Sequence, residues 1–389
     1  MLLQANALRI PLADESVHCV VTSPPYWGLR DYGIGDQLGL EATIDEYVAN
    51  MVAVFREVKR VLRSDGVCWI NLGDSYSGDK SGGRNDTDKM YPGSPDGLRA
   101  KGKLAISSGL KPKDLCGVPW RVAFALQADG WWLRSDCIWA KPNPMPESVT
   151  DRPTKAHEYV FLLTKAANYF YDQEAVREEN ADPSRTNYIP GARTFGINPD
   201  RRDNDMAERM RDYIPSGRNL RTVWTIATAP YSGAHFATFP PALVERCIRA
   251  GTSERGACPV CGRQWERVVE RGPAAFSRQN DREKVTFTRS LPGRNDGEVI
   301  RSTLGWRPTC DHDNDPIPAT VFDPFVGSGT TVAVAQQLGR RGVGIDLSLP
   351  YLHLARERTG AAALAEWMNG KKNGKENRLE DLPMFQVRG

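Results

Sequence analysis

A chain of 389 residues, 40% hydrophobic and 25% charged, has room for one large α/β domain with insertions or for two to three smaller domains. It contains no apolar run long enough to cross a membrane as a helix, and its start, MLLQANALRI, lacks the pattern of a signal peptide, so a cytoplasmic location without membrane association is expected. The formal net charge of +3 excludes a uniformly basic surface and makes the distribution of charge the informative quantity.

Residues 1 to about 76 alternate apolar strands with a helix. His18-Cys19-Val20-Val21 reads as a buried strand, and it runs into Thr22-Ser23-Pro24-Pro25-Tyr26-Trp27. A Pro-Pro pair donates no ladder hydrogen bond and fixes φ, so it stops the sheet and holds a rigid segment with free carbonyls. Taken alone, this stretch fits a strand terminator with core aromatics as well as it fits a site. Apolar spacing of three and four predicts a helix over 44–62, ended by Ser64-Asp65-Gly66 before a strand over 67–72. The stretch 77–112 is rich in Gly, Ser, Asp and Lys and reads as a long mobile loop.

A helix over 118–129, with Pro119 suited to its first turn, precedes a strand over 131–140. Lys141-Pro142-Asn143-Pro144-Met145-Pro146 is a second proline-stiffened strand exit, and a further strand is expected over 158–165. From 172 to about 220 the pattern dissolves into Arg, Asn, Asp, Gly and Pro, as in a surface insertion. Order resumes at Val223 and in a helix over 241–250 closed by Gly251. Between Arg263 and Arg307 nine Arg and one Lys face six acids, which suits either a solvated loop or a phosphate-contacting insertion. A glycine turn, a helix over 331–338 and a strand over 342–346 follow, and the tail from Gly370 is polar enough to be loosely held.

The turn is Thr320-Val321-Phe322-Asp323-Pro324-Phe325-Val326-Gly327-Ser328-Gly329-Thr330-Thr331, a strand that opens a helix through glycines. Glycines let a ligand approach the backbone, and the helix start offers free N–H groups to an anion. Asp346 ends the next strand, 19 residues after Gly327, where an acid accepts hydrogen bonds from ribose hydroxyls. Together these describe a nucleoside-containing cofactor. The dinucleotide fingerprint requires a third glycine where this chain has Val332, so NAD loses its support.

The Asp323-Pro324-Phe325-x-Gly327-Ser328-Gly329 form instead resembles the S-adenosylmethionine loop of amino-methyltransferases. Placed after an N-terminal TSPPY segment, it resembles the β-type, circularly permuted DNA amino-methyltransferases of the N4-cytosine and N6-adenine family. The similarity also runs through Ser16 to Tyr26, Ile138 to Asn143, His157 to Lys165 and His235 to Pro240. The resemblance implies an α/β fold: a circularly permuted Rossmann-like methyltransferase sheet with helices on both faces, plus a target-recognition insertion, to which the cysteine spacing adds a small zinc-binding insertion. It implies a catalytic half at 1–171, a target-recognition insertion at 172–220 and a cofactor half at 221–251 and 314–369; cysteine spacing and composition add a zinc-clamped basic insertion at 252–313 and a flexible tail at 370–389.

An exocyclic base nitrogen is a poor nucleophile because its lone pair is delocalised into the ring. The resemblance implies that Ser23 and Pro24, in the segment completed by Pro25, accept the two amino hydrogens while Tyr26 stacks on an extruded base. A serine at position 23 goes mostly with cytosine N4, an aspartate there with adenine N6. The cofactor contacts so implied are Asp323, Pro324, Phe325, Gly327, Ser328, Gly329, Thr330, Thr331 and Asp346, with Asn6 near the adenine. His235 is either a holder of the methionine end or a structural histidine, and Trp27 either a pocket wall or packing. The expected partner is double-stranded DNA; a homodimer stays open, and no cognate restriction enzyme is identifiable from the chain. N6-adenine methylation, RNA methylation and a non-catalytic DNA-binding module are the competing readings.

Of eight cysteines, Cys19, Cys68, Cys116 and Cys137 sit singly among apolar residues as buried small hydrophobes would. Cys258-Pro-Val-Cys261-Gly forms a zinc-knuckle turn, and Cys310-Asp-His312 supplies two more ligands, a full N/S set for a structural zinc that clamps the base of the basic insertion. A free thiol pair and a redox Cys-x-x-Cys are the alternatives, the latter without its usual helix-opening context.

Overall fold

The computed structural model describes residues 1–29, 35–77, 109–178, 218–229, 239–271 and 301–360. Most of loop 77–112, most of the insertion at 172–220, His235, the middle of the basic insertion and the tail lie outside the described residues.

The β-branched and aromatic runs form β1 (Leu2–Gln4), β2 (Val17–Thr22), β3 (Leu62–Leu72), β4 (Trp132–Ala140), β5 (His157–Thr164), β6 (Val223–Thr225), β9 (Thr320–Asp323) and β10 (Arg341–Asp346). They pair in one sheet of order β1-β10-β9-β2-β3-β5-β4-β6. β5 runs antiparallel to β3 and β4, while the other pairs are parallel. A separate antiparallel hairpin joins β7 (Glu266–Arg271) to β8 (Arg301–Arg307), so the ends of the basic segment are strands rather than loop.

Side chains alternate across the sheet with the period of two that a pleated strand imposes. Val20 of β2, Cys68, Ile70 and Leu72 of β3, and Phe161 and Leu163 of β5 enter one core. Cys19, Val21, Val67, Trp69, Val160 and Leu162 enter the other. The first core is covered by α1 (Ile44–Val61) and α2 (Val118–Ala128), the second by α3 (Pro241–Gly251) and α4 (Thr330–Gln337). A strand buried on both faces is what such double coverage requires, and β2 is buried along its whole length. α5 (Leu349–Thr359) packs beside β1 and β10.

α1 starts at a capping box, with Thr43 accepting from the Glu46 N–H and Glu46 from the Thr43 N–H. Its apolar face, Tyr47, Met51, Val54, Phe55 and Val58, is fully buried, each such side chain contributing about 1.5–3 kcal/mol. The expected turn at Ser64-Asp65-Gly66 is absent. α1 passes directly into β3 because Leu62 turns extended (φ −71°, ψ 137°) and pairs with Val17. A register shift between Val17 and Cys19 takes up the extra residues, and at Gly66 a Cβ would lie 3.0 Å from the His18 carbonyl oxygen and 2.7 Å from Leu62 Cδ1.

Candidate active site

Parallel strands bring their carboxyl ends to one edge, and the reversed β5 brings its amino end to the same edge. Asn6 follows β1, Ser23 follows β2, Asn71 lies near the end of β3, Lys141 follows β4, Glu158 lies near the start of β5, and Asp346 ends β10. They line a single cavity of about 870 Å³, at the end of the sheet where open α/β sheets bind ligands. That volume lies in the upper part of the range for small-molecule sites, roughly 300–1,000 Å³.

One wall is the glycine turn. Gly327 has φ +48°, favourable for glycine, and its N–H donates to Asp346 Oδ2 at 2.9 Å. The Ser348 N–H donates to Asp346 Oδ1 at 2.8 Å. Burial raises the Asp346 carboxyl above the ordinary range, against these N–H groups. A carboxylate accepts about four hydrogen bonds, so Asp346 keeps acceptor capacity for a ligand hydroxyl. Asn6, Pro324, Phe325, Ser328 and Thr330 complete this wall. The Ser328 and Thr330 hydroxyls accept from Arg358 at 3.2 and 2.7 Å.

Three expected cofactor contacts lie off the wall. Asp323 is 1% exposed and accepts from Thr22 Oγ1 and Thr331 Oγ1, both at 2.7 Å, and from the Phe325 N–H at 3.0 Å. Burial pushes its carboxyl up to about 6 against those three donors. Thr331 is buried with it, so both residues tie the glycine turn to β2 rather than touch a ligand. Gly329 is needed for packing: a Cβ there would lie 2.9 Å from Ala355 Cβ of α5.

The other wall carries the proline segment. Tyr47 Oη donates to the Pro25 carbonyl at 2.9 Å, pinning the segment to α1. Among the described residues nothing donates to the Pro24 carbonyl, so of the two proline carbonyls Pro24's is the available one. Ser23 Oγ lies 3.4 Å from Tyr26 Oη, which donates to Glu158 Oε2 at 2.7 Å. Asn71 Nδ2 donates to Tyr26 Oη at 2.9 Å and to Glu158 Oε2 at 2.8 Å, and Lys141 Nζ bonds Glu158 Oε1. Burial, then the Glu158 charge, hold the Tyr26 phenol well above its ordinary value, so it stays neutral. Its ring lies against Gly73, where a Cβ would come within 2.6 Å of Tyr26 Cε2. Trp27 is 4% exposed and donates to the Glu41 carbonyl at 3.0 Å, which makes it packing.

Sequence reasoning missed Glu158, Asn71 and Lys141 as site residues. Lys141 and Glu158 lie in the segments 138–143 and 157–165 that carry the family resemblance, which was the signal available for them, while the topology that gathers all three residues carries no local signal.

The four expected ligands converge independently. Ligand atoms of Cys258, Cys261, Cys310 and His312 all lie within 4.8 Å of one another. A tetrahedron with bonds of about 2.3 Å has edges of about 3.8 Å, inside that bound. The Cys261 and Val260 N–H groups help pull the Cys258 thiol down to about 6, toward the thiolate that binds metal. The turn docks on the core through His18, whose Nδ1 accepts from the Thr320 N–H and whose Nε2–H donates to the Gly262 carbonyl, both at 2.9 Å. His18 and Thr320 sit at the amino ends of β2 and β9, so the cluster lies at the opposite edge of the sheet from the cavity.

Fold and site together define a doubly wound α/β protein with a ligand cavity at its strand ends, one wall a glycine turn and the other an array of acceptors. Over residues 17–258 and 316–357 the chain matches the DNA methylase family N6_N4_Mtase. It is 40% identical over 347 residues to the Type II methyltransferase M.SmaI of Serratia marcescens, covering 89% of this chain and 85% of that protein. Against M.Cfr9I of Citrobacter freundii it is 39% identical over 361 residues, covering 92% and 86%. Among solved structures, the cytosine-N4-specific PvuII DNA methyltransferase shares 16% identity over 96% of this chain and 93% of that one, with a TM-score of 0.48. The chain belongs to the DNA methylase family. The family match stops at 258 and resumes at 316, so three of the four clustered Cys and His residues fall in the gap.

Proposed function

We propose that this DNA methyltransferase is of the circularly permuted type and transfers a methyl group from S-adenosylmethionine to N4 of an extruded cytosine in double-stranded DNA. The observation that carries the reading is the single cavity shared by the glycine turn and the proline segment. Their strands, β9 and β2, are neighbours in the sheet although the segments are about 300 residues apart.

When bound, S-adenosylmethionine supplies an electrophilic sulfonium methyl. Asp346 and Asn6 hold the nucleoside, and Ser328 and Thr330 at the start of α4 face its methionine end. His235, outside the described residues, is assigned to that end by resemblance. Ser23 Oγ and the Pro24 carbonyl accept the two amino hydrogens and so localise the nitrogen lone pair. Both acceptors are uncharged, which suits cytosine by the family's serine preference. Tyr26 stacks on the base, held by Glu158, Asn71 and Gly73 so that little reorganisation remains at the moment of transfer. Cys258, Cys261, Cys310 and His312 hold a structural zinc with no open position.

Nucleoside analysis of DNA from cells expressing the protein tests the assignment. N4-methylcytosine is expected. N6-methyladenine would move the target base, and neither product would overturn the reading.

A further inference from the structure

Met145 is the most exposed large apolar side chain among the described residues, at 85%. It stands at the border of the cavity, on the same segment as Lys141 and Asn143. A solitary apolar side chain on a surface needs no explanation, but this one is held stiffly in place. Pro142, Pro144 and Pro146 each fix φ. The Lys141 N–H donates to the Ala156 carbonyl at 2.8 Å, and Asn143 Oδ1 accepts from the Thr228 N–H at 3.0 Å. Beyond the last proline, Glu147 is ion-paired with Arg152 at 2.7 Å. The chain therefore presents a thioether to solvent on an anchored backbone, at the border of the cavity.

We propose that Met145 is the wedge that fills the place left in the DNA stack by the extruded target nucleotide. Extrusion leaves a gap bounded by two base faces, and an unfilled gap favours return of the base. An unbranched, polarisable thioether adapts to irregular spaces and makes favourable contacts with aromatic rings, and methionine is among the side chains that enter base steps. The base that Met145 replaces is received by Ser23, Pro24 and Tyr26 in the adjoining cavity. This inference rests on the DNA-methylation reading above.

The test uses the full-length protein and two synthetic duplexes carrying the site mapped from methylated DNA. In one the target base is paired; in the other it lies opposite an abasic position, where extrusion meets less resistance. Met145→Ala is expected to lower the methylation rate on the paired duplex on the order of tenfold, with a loss several-fold smaller on the abasic one. Met145→Leu, which keeps an apolar wedge, is expected to restore most of the rate. An equal loss on both duplexes, or no loss on either, overturns the wedge and leaves the methyltransferase reading standing. A wild-type protein that methylates no DNA in cells, and so yields no site to map, overturns both.

Discussion

Ser23 and Asp346 face one cavity from β2 and β10, with β9 between them, and the proposed mechanism gives them separable duties. Ser23→Ala removes an acceptor used by the amino group only as its lone pair is localised. Methylation is expected to fall about a hundredfold, while calorimetric titration with S-adenosylmethionine gives nearly the wild-type dissociation constant. Asp346→Ala removes hydrogen-bonding capacity toward the cofactor and weakens binding about tenfold. The two results exchanged would sink the assignment. At this scale the sequence offered the residue types but not their exposure. Asp323 and Asp346 both end strands beside the same turn, yet Asp323 spends its oxygens on Thr22, Thr331 and Phe325, and only Asp346 reaches the cavity.

β2 links two edges of the sheet. Its carboxyl end leads to Ser23, and near its amino end His18 joins the turn at 258–262 to β9. Burial pushes the His18 imidazole down to about 4, with the Gly262 carbonyl and Asp65 opposing and Arg63 assisting. A base whose folded value lies below its unfolded value of 6.5 stabilises the fold fully above that pH, and the contribution is lost as pH falls toward 4. The stability advantage of wild type over His18→Gln, from urea unfolding, is therefore expected to be constant above pH 6.5 and to shrink by roughly 3 kcal/mol by pH 4. A difference independent of pH would remove this role. Most core helix and strand positions were legible from periodicity, since burial imposes periods of 3.6 and 2 on the residues themselves, whereas β7, β8 and α5 were not. The join of α1 to β3 was not, because it depends on a register shift against another strand.

The whole molecule sets its cavity and its cysteine cluster at opposite edges of one sheet, so metal and methyl transfer are expected to separate. Metal analysis should find about one zinc per chain. Cys261→Ala should lose it and lower the melting temperature by several degrees, with cofactor affinity kept; a metal-free wild type would remove the clamp. The sequence by itself determined the main core strands and the helices α1 to α4, and it marked the glycine turn, the proline segment and the Cys-x-x-Cys and Cys-x-His motifs. Each is written within a few neighbouring residues whose types are dictated by local geometry or ligand chemistry. Only the tertiary structure decided that Tyr26 and Glu158, 132 positions apart, share a hydrogen bond, that Asn71 and Lys141 join them, and that Trp27 and Asp323 turn inward. Those outcomes follow from strand order and the reversal of β5, which arise from packing over the whole chain and leave no mark on any one stretch of it.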